Sequence, residues 1–65
     1  MCLSSVYRKT EGESVFLFKN IAGVEISGDS ILFTDIMGVR TEIQGKIQNI
    51  DLLENTITVE TKEAI

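Results

Sequence analysis

One cysteine, two methionines and no histidine make up the soft-donor inventory of this 65-residue chain. Cys2 is the donor best placed to do chemistry. A methionine followed by a small residue is commonly processed, and removal of Met1 would leave Cys2 with a free α-amine beside its thiol. Amine and thiolate on adjacent carbons close a five-membered N,S chelate, which suits late first-row metals such as nickel or copper better than magnesium or calcium. One such chelate is half a site. A two-fold dimer that brings two N-termini together would supply two nitrogens and two sulfurs, a set suited to square-planar Ni(II). If Met1 is retained, a deprotonated backbone amide nitrogen can take the place of the amine. The competing reading of Cys2 is a small hydrophobe or an idle thiol at a chain end.

The absence of histidine excludes the histidine-containing zinc sets, the Ser-His-Asp triad and any histidine general base. A single cysteine excludes an internal disulfide and agrees with a reducing compartment. No nucleophile–base pair, phosphate loop or cofactor fingerprint is present, so an enzyme is not expected. Asp29, Asp35 and Asp51 offer carboxylates, but each falls at an expected turn, where aspartate serves backbone hydrogen bonding. Met37, between Ile36 and Gly38, reads as a gap-filling core residue.

Nucleic acid is the other partner class to weigh. Tyr7, Phe16 and Phe18 could stack on bases, and Arg8, Lys9, Lys19, Arg40 and Lys46 could meet phosphates. A formal net charge of −4 opposes a phosphate-binding surface. The phenylalanines read better as core or dimer interface, and the scattered cations as solvated strand edges.

These groups must be positioned by one small domain spanning residues 1–65. At 7.2 kDa, surface scaling gives an unfolded area of about 10,400 Å² falling to about 4,100 Å² on folding, a thin core that favours self-association. The longest apolar run, Val15 to Phe18, is far too short to cross a membrane. With no signal region, a cytoplasmic location is expected.

Isoleucine, valine, phenylalanine and threonine dominate the pattern, which reads as all-β. Strands are expected from about Leu3 to Thr10 and from Ser14 to Phe18, joined by a turn at Glu11 to Glu13. The second has apolar residues on both faces, Val15 with Leu17 and Phe16 with Phe18, and so calls for cover on both sides. Lys19 to Gly23 is expected to be a connecting turn. A hairpin follows through Ser27 to Asp29, pairing the Val24 to Ile26 strand with Ile31 to Thr34. Asp35 to Gly38 turns into an alternating strand from Val39 to Gln44. Gly45 marks a bend or bulge before Lys46 to Asp51, where Ile47 and Ile50 break strict alternation. Leu52 to Asn55 turns into a last strand around Ile57 and Val59. Six or seven short strands in meander order predict a small SH3-like antiparallel barrel, with an OB-type barrel as the structural alternative.

The chain resembles the CooT-type small nickel-binding accessory proteins associated with carbon monoxide dehydrogenase maturation. The likeness runs from the Met1-Cys2 start and the short strand ending near Tyr7, through Val24-Glu25-Ile26 and Gly28-Asp29. It continues with the segment from Ile31 to Gly38, including Thr34-Asp35-Ile36-Met37-Gly38, then Gly45-Lys46-Ile47 and Ile50-Asp51-Leu52-Leu53. The resemblance implies an SH3-like homodimer that binds Ni(II) through the N-terminal cysteine, so Cys2 is the one residue whose role carries over. It also implies a link to a nickel enzyme such as carbon monoxide dehydrogenase. Leu3 follows Cys2 where some relatives have a polar or small residue, which bears on the shape of the site. Members have also been labelled predicted RNA-binding proteins, and a small RNA-binding β-barrel is the alternative function.

Overall fold

The computed structural model describes residues 3–61. Five strands follow one another: β1 (Ser4–Thr10), β2 (Glu13–Ser27), β3 (Ser30–Asp35), β4 (Arg40–Asp51) and β5 (Thr56–Thr61). Each pairs with its neighbour in sequence, and β5 returns to β1 to close a barrel. The all-β barrel expected from composition is therefore present. Its consecutive order differs from the Greek-key order of an OB barrel.

Five strands replace the expected six or seven because two long strands bend without ending. β2 has 15 residues and β4 has 12, and each serves two neighbours in succession. The first part of β2 pairs with β1 and the second with β3, while β4 pairs first with β3 and then with β5. Lys19 to Gly23, expected as a turn, is instead the bend within β2. Register shifts fall on both sides of Ile21, and Asn20 takes a left-handed φ of 58°. An extra residue in one strand is left unpaired, bends the strand and increases its twist, and the ladder resumes on either side of it. In β4 the shift lies between Ile47 and Asn49, which accounts for the broken alternation of Ile47 and Ile50.

The odd strand count also fixes the seam. Antiparallel neighbours alternate in direction, so the first and fifth members of a ring point the same way. β1 and β5 accordingly pair in parallel, from Ser5 opposite Thr56 to Arg8 opposite Val59. The other four seams are antiparallel.

The interior follows the period of two. Ile31 and Phe33 on β3 and Ile57 and Val59 on β5 point inward, joined by Val6 and Ile21. Leu17, Phe18, Val24, Ile43 and Ile47 pack around this cluster. A register shift between Val6 and Tyr7 of β1 places an extra β2 residue opposite that step. Leu17 and Phe18 thus both reach the core although adjacent in sequence. The apparently double-faced strand needs less external cover than its sequence suggested: Phe18 lies 5.6 Å from Phe33 between ring centres, and Phe16 alone stays half outside at 51% exposure. Tyr7, directly opposite, shields it with an edge-to-face ring contact at 5.7 Å.

Candidate functional site

Cys2, the one ligand candidate, lies outside the described residues. What the fold defines is where the chain enters the barrel just after it. Ser4 stands opposite Ile21 of β2, and Ile21 stands opposite Asp35 at the end of β3. On the other side Ser5 stands opposite Thr56 and donates its N–H to the Asn55 carbonyl at 3.0 Å. The start of β1 is thus framed by the β2 bend and the β3–β4 turn on one flank and by the β4–β5 turn on the other.

Both turns are built by aspartate. Asp35 Oδ1 accepts the N–H groups of Met37 and Val39, each at 2.9 Å. Asp51 Oδ1 accepts those of Leu53 and Glu54, each at 3.0 Å. These side chains satisfy turn donors that the ladders leave over, which is why aspartate occupies both positions. Asp29 is also at a turn, and its backbone carbonyl accepts the Gly45 N–H at 2.7 Å. Among the described residues no group of three or more histidine, cysteine, aspartate or glutamate side chains could hold a metal ion.

The two turns display apolar side chains to solvent. Met37 is 83% exposed, Leu52 82% and Leu53 89%, with Ile36, Val39 and Ile50 exposed nearby in sequence. Met37 as a core gap-filler is therefore a correction: the Asp35 turn holds the backbone so that its side chain leaves the barrel. Leu52, Leu53 and Ile36 were not singled out by sequence reasoning. The available signal was the Asp-x-hydrophobe pattern in Asp35-Ile36-Met37 and Asp51-Leu52-Leu53, since an aspartate-built turn cannot also bury the residues at its tip.

The residues considered for RNA stacking are divided by the fold. Phe18 is part of the core packing, whereas Tyr7 and Phe16 contact each other at the surface. Among the cations, Arg40 pairs with Glu25 at 3.7 Å, with both side chains largely exposed. Lys9, Lys19 and Lys46 are exposed on different strands, and Arg8 is half-buried in the barrel wall.

A closed five-stranded barrel with an apolar rim at the entry of its first strand defines the structural class. The chain belongs to the CooT family, the carbon monoxide dehydrogenase accessory proteins, whose family pattern matches residues 1–60. Among its relatives is an uncharacterised protein of Methanothermobacter thermautotrophicus, 35% identical over 97% of this chain and 94% of that protein. Another, from Methanocaldococcus jannaschii, is 33% identical over 92% of this chain and 98% of that one. The fold is shared with a CooT crystal structure from Carboxydothermus hydrogenoformans, with a TM-score of 0.85, covering 95% of this chain and all of that one at 19% identity. No helix of the described residues is long and apolar enough to cross a membrane.

Proposed function

We propose that this chain is a non-catalytic, cytoplasmic nickel-binding accessory protein that acts as a homodimer and supports maturation of carbon monoxide dehydrogenase. Family membership, extending through the Met1-Cys2 start, carries this reading. Nickel is the cargo, and Cys2 is its proposed ligand through the thiolate and an adjacent nitrogen, two chains completing the donor set. Among the described residues no group of three or more histidine, cysteine, aspartate or glutamate side chains offers a rival donor set. The rim formed by Met37, Leu52 and Leu53 supports the dimer, because it frames the strand that follows Cys2 and leaves large apolar side chains in water. The β2 segment from Val15 to Phe18 no longer supports it, since most of that segment packs inward.

Nickel titration of the parent and of Cys2→Ser, by calorimetry and by thiolate-to-metal charge-transfer absorption, tests this function. The parent should bind one ion per two chains, and the variant should keep its fold while losing the absorption and the tight binding. Equal nickel affinity in the two proteins would remove Cys2 as the ligand and the reading with it.

A further inference from the structure

A cavity of about 280 Å³ opens between the strands, walled by Arg8 of β1, Leu17 and Phe18 of β2, Ile43 and Gln44 of β4, and Thr61 at the end of β5. It lies away from the apolar rim. Arg8 is four residues along β1 from Ser4, roughly 13 Å at the usual strand rise. Gly45, which donates its N–H to the Asp29 carbonyl in the β2–β3 turn, stands opposite Thr61 at this end of the barrel. The volume is close to the lower limit for small-molecule sites, and the mouths of β-barrels are a preferred location for them.

Arg8 is the one cation of the cavity wall. Alternation along β1 sets it on the same inward face as Val6, and its neighbour across the parallel seam is Val59; both valines are fully buried. Arg8 Nε is buried and has no hydrogen-bond partner. No ion pair joins Arg8 to a carboxylate of the described residues, where the pair present is Arg40 with Glu25. A guanidinium stays protonated and presents five donors in a planar fork that matches a carboxylate. A donor withdrawn from water with no acceptor is costly, so a ligand that supplies the acceptor is favoured. Because Nε is screened from solvent, the guanidinium must turn on its flexible stem to present the fork.

The remaining wall selects the rest of the ligand. Leu17, Phe18 and Ile43 offer an apolar surface for hydrocarbon. Glu42 borders the opening, but it stands opposite Leu32, itself opposite Glu25, and alternation with Ile43 turns its side chain to the outer face of the barrel. The interior therefore sets one positive charge against apolar side chains. A phosphate dianion would carry more charge into that surface than Arg8 balances. A monocarboxylate matches it.

We infer that this cavity binds a small monocarboxylate with a short hydrocarbon chain. Its carboxylate meets the Arg8 fork, and its chain lies against Leu17, Phe18 and Ile43. The site is independent of the nickel reading, as it uses neither Cys2 nor the rim.

Titration of isotope-labelled full-length protein with 4-methylpentanoate at neutral pH, followed by amide chemical shifts, tests it. Saturable shifts should appear at Leu17, Ile43, Gln44 and Thr61 in the millimolar range or below. 4-Methylpentanamide, which keeps the shape and loses the charge, should bind at least about tenfold more weakly, as expected for loss of a charge-assisted hydrogen bond. Inorganic phosphate should give no saturable shifts at these residues. Arg8→Lys, which keeps the charge and loses the fork, should weaken 4-methylpentanoate. Arg8→Met should abolish its binding while unfolding at a temperature no lower than the parent's, because a buried charge without a partner is replaced by an apolar side chain. Absence of saturable shifts at the four residues overturns the site, as does undiminished binding by Arg8→Lys and Arg8→Met. Equal binding of the acid and its amide, or saturable phosphate binding, overturns the monocarboxylate assignment. N-Acetyl-L-leucine presents the same carboxylate as a peptide C-terminus, and tighter binding of it than of 4-methylpentanoate would overturn the small-acid reading. None of these outcomes alters the nickel titration of the parent, so failure here is distinct from failure of the nickel function.

Discussion

Ile36 donates its backbone N–H to the Asn20 carbonyl at 2.9 Å, tying the β3–β4 turn to the bend of β2. Asn20 reaches this position with a left-handed φ of 58°, a conformation that asparagine tolerates and β-branched residues do not. Asn20→Val should therefore destabilise the fold by about 1–2 kcal/mol through backbone strain, whereas Asn20→Gly should be close to neutral. Urea unfolding of the three proteins under matched conditions measures the difference. Equal losses for valine and glycine would show that the asparagine side chain, rather than the φ angle, is what the bend requires.

Gly45 is where β4 leaves β3 for β5. The residue is buried, and a Cβ built there would collide with the Glu60 carbonyl oxygen and come within 2.9 Å of the Thr61 Cα. Both obstacles are backbone, so neither can move aside as a flexible side chain would. Gly45→Ala should cost about 1–3 kcal/mol, in the range of overpacking in a filled core. The loss should appear as a lower midpoint of thermal unfolding and as weakened hydrogen-exchange protection along Lys46 to Asp51. A variant as stable as the parent would mean that β5 can shift outward freely.

Much of this architecture was legible in the sequence. The alternation of Ile57 with Val59 and of Thr41 with Ile43 specified strands, and the aspartate-bearing turns specified where three of them end. The bend of β2 was not legible, because Lys19 to Gly23 carries the same residues whether the chain turns or bulges. Only pairing with Ser4 on one side and Asp35 on the other, both distant in sequence, decides between the two. The inward placement of both Leu17 and Phe18 was hidden for the same reason. For the site, the Met1-Cys2 pair was visible at once, but the neighbourhood of the residues that follow depends on closure of β5 against β1.

If the rim at the β3–β4 and β4–β5 turns joins two copies, charges placed at its most exposed positions should separate them. Leu52→Glu with Leu53→Glu leaves the Asp51 turn intact, because Asp51 accepts backbone N–H groups that the double variant retains. Sedimentation equilibrium at micromolar concentration should return about twice the chain mass for the parent and the single-chain mass for the variant, with unchanged β-sheet circular dichroism. A parent that is monomeric at that concentration removes the shared nickel site. A double variant that stays dimeric moves the interface to another face.

Nickel binding should weaken on acidification, with a slope that reports the number of protons displaced. Free cysteine and α-amino groups have pKa values of about 8.5 and about 7.7–8.0, so near neutral pH both hold protons that the metal must displace. Below those values each displaced proton lowers the apparent affinity about tenfold per pH unit. A chelate formed by the Cys2 thiolate and amine should therefore lose about a hundredfold per pH unit for each chain that contributes. Competition titrations between pH 7 and pH 5.5 measure the slope, and mass spectrometry establishes whether Met1 is present. With Met1 retained, a backbone amide must lose its proton in place of the amine, so the two-proton slope should persist while affinity at a given pH falls, the amide being the weaker acid. A slope well below two protons per contributing chain would mean that nitrogen and sulfur of Cys2 are not both deprotonated on binding. The N,S chelate would then be excluded even if nickel is bound elsewhere.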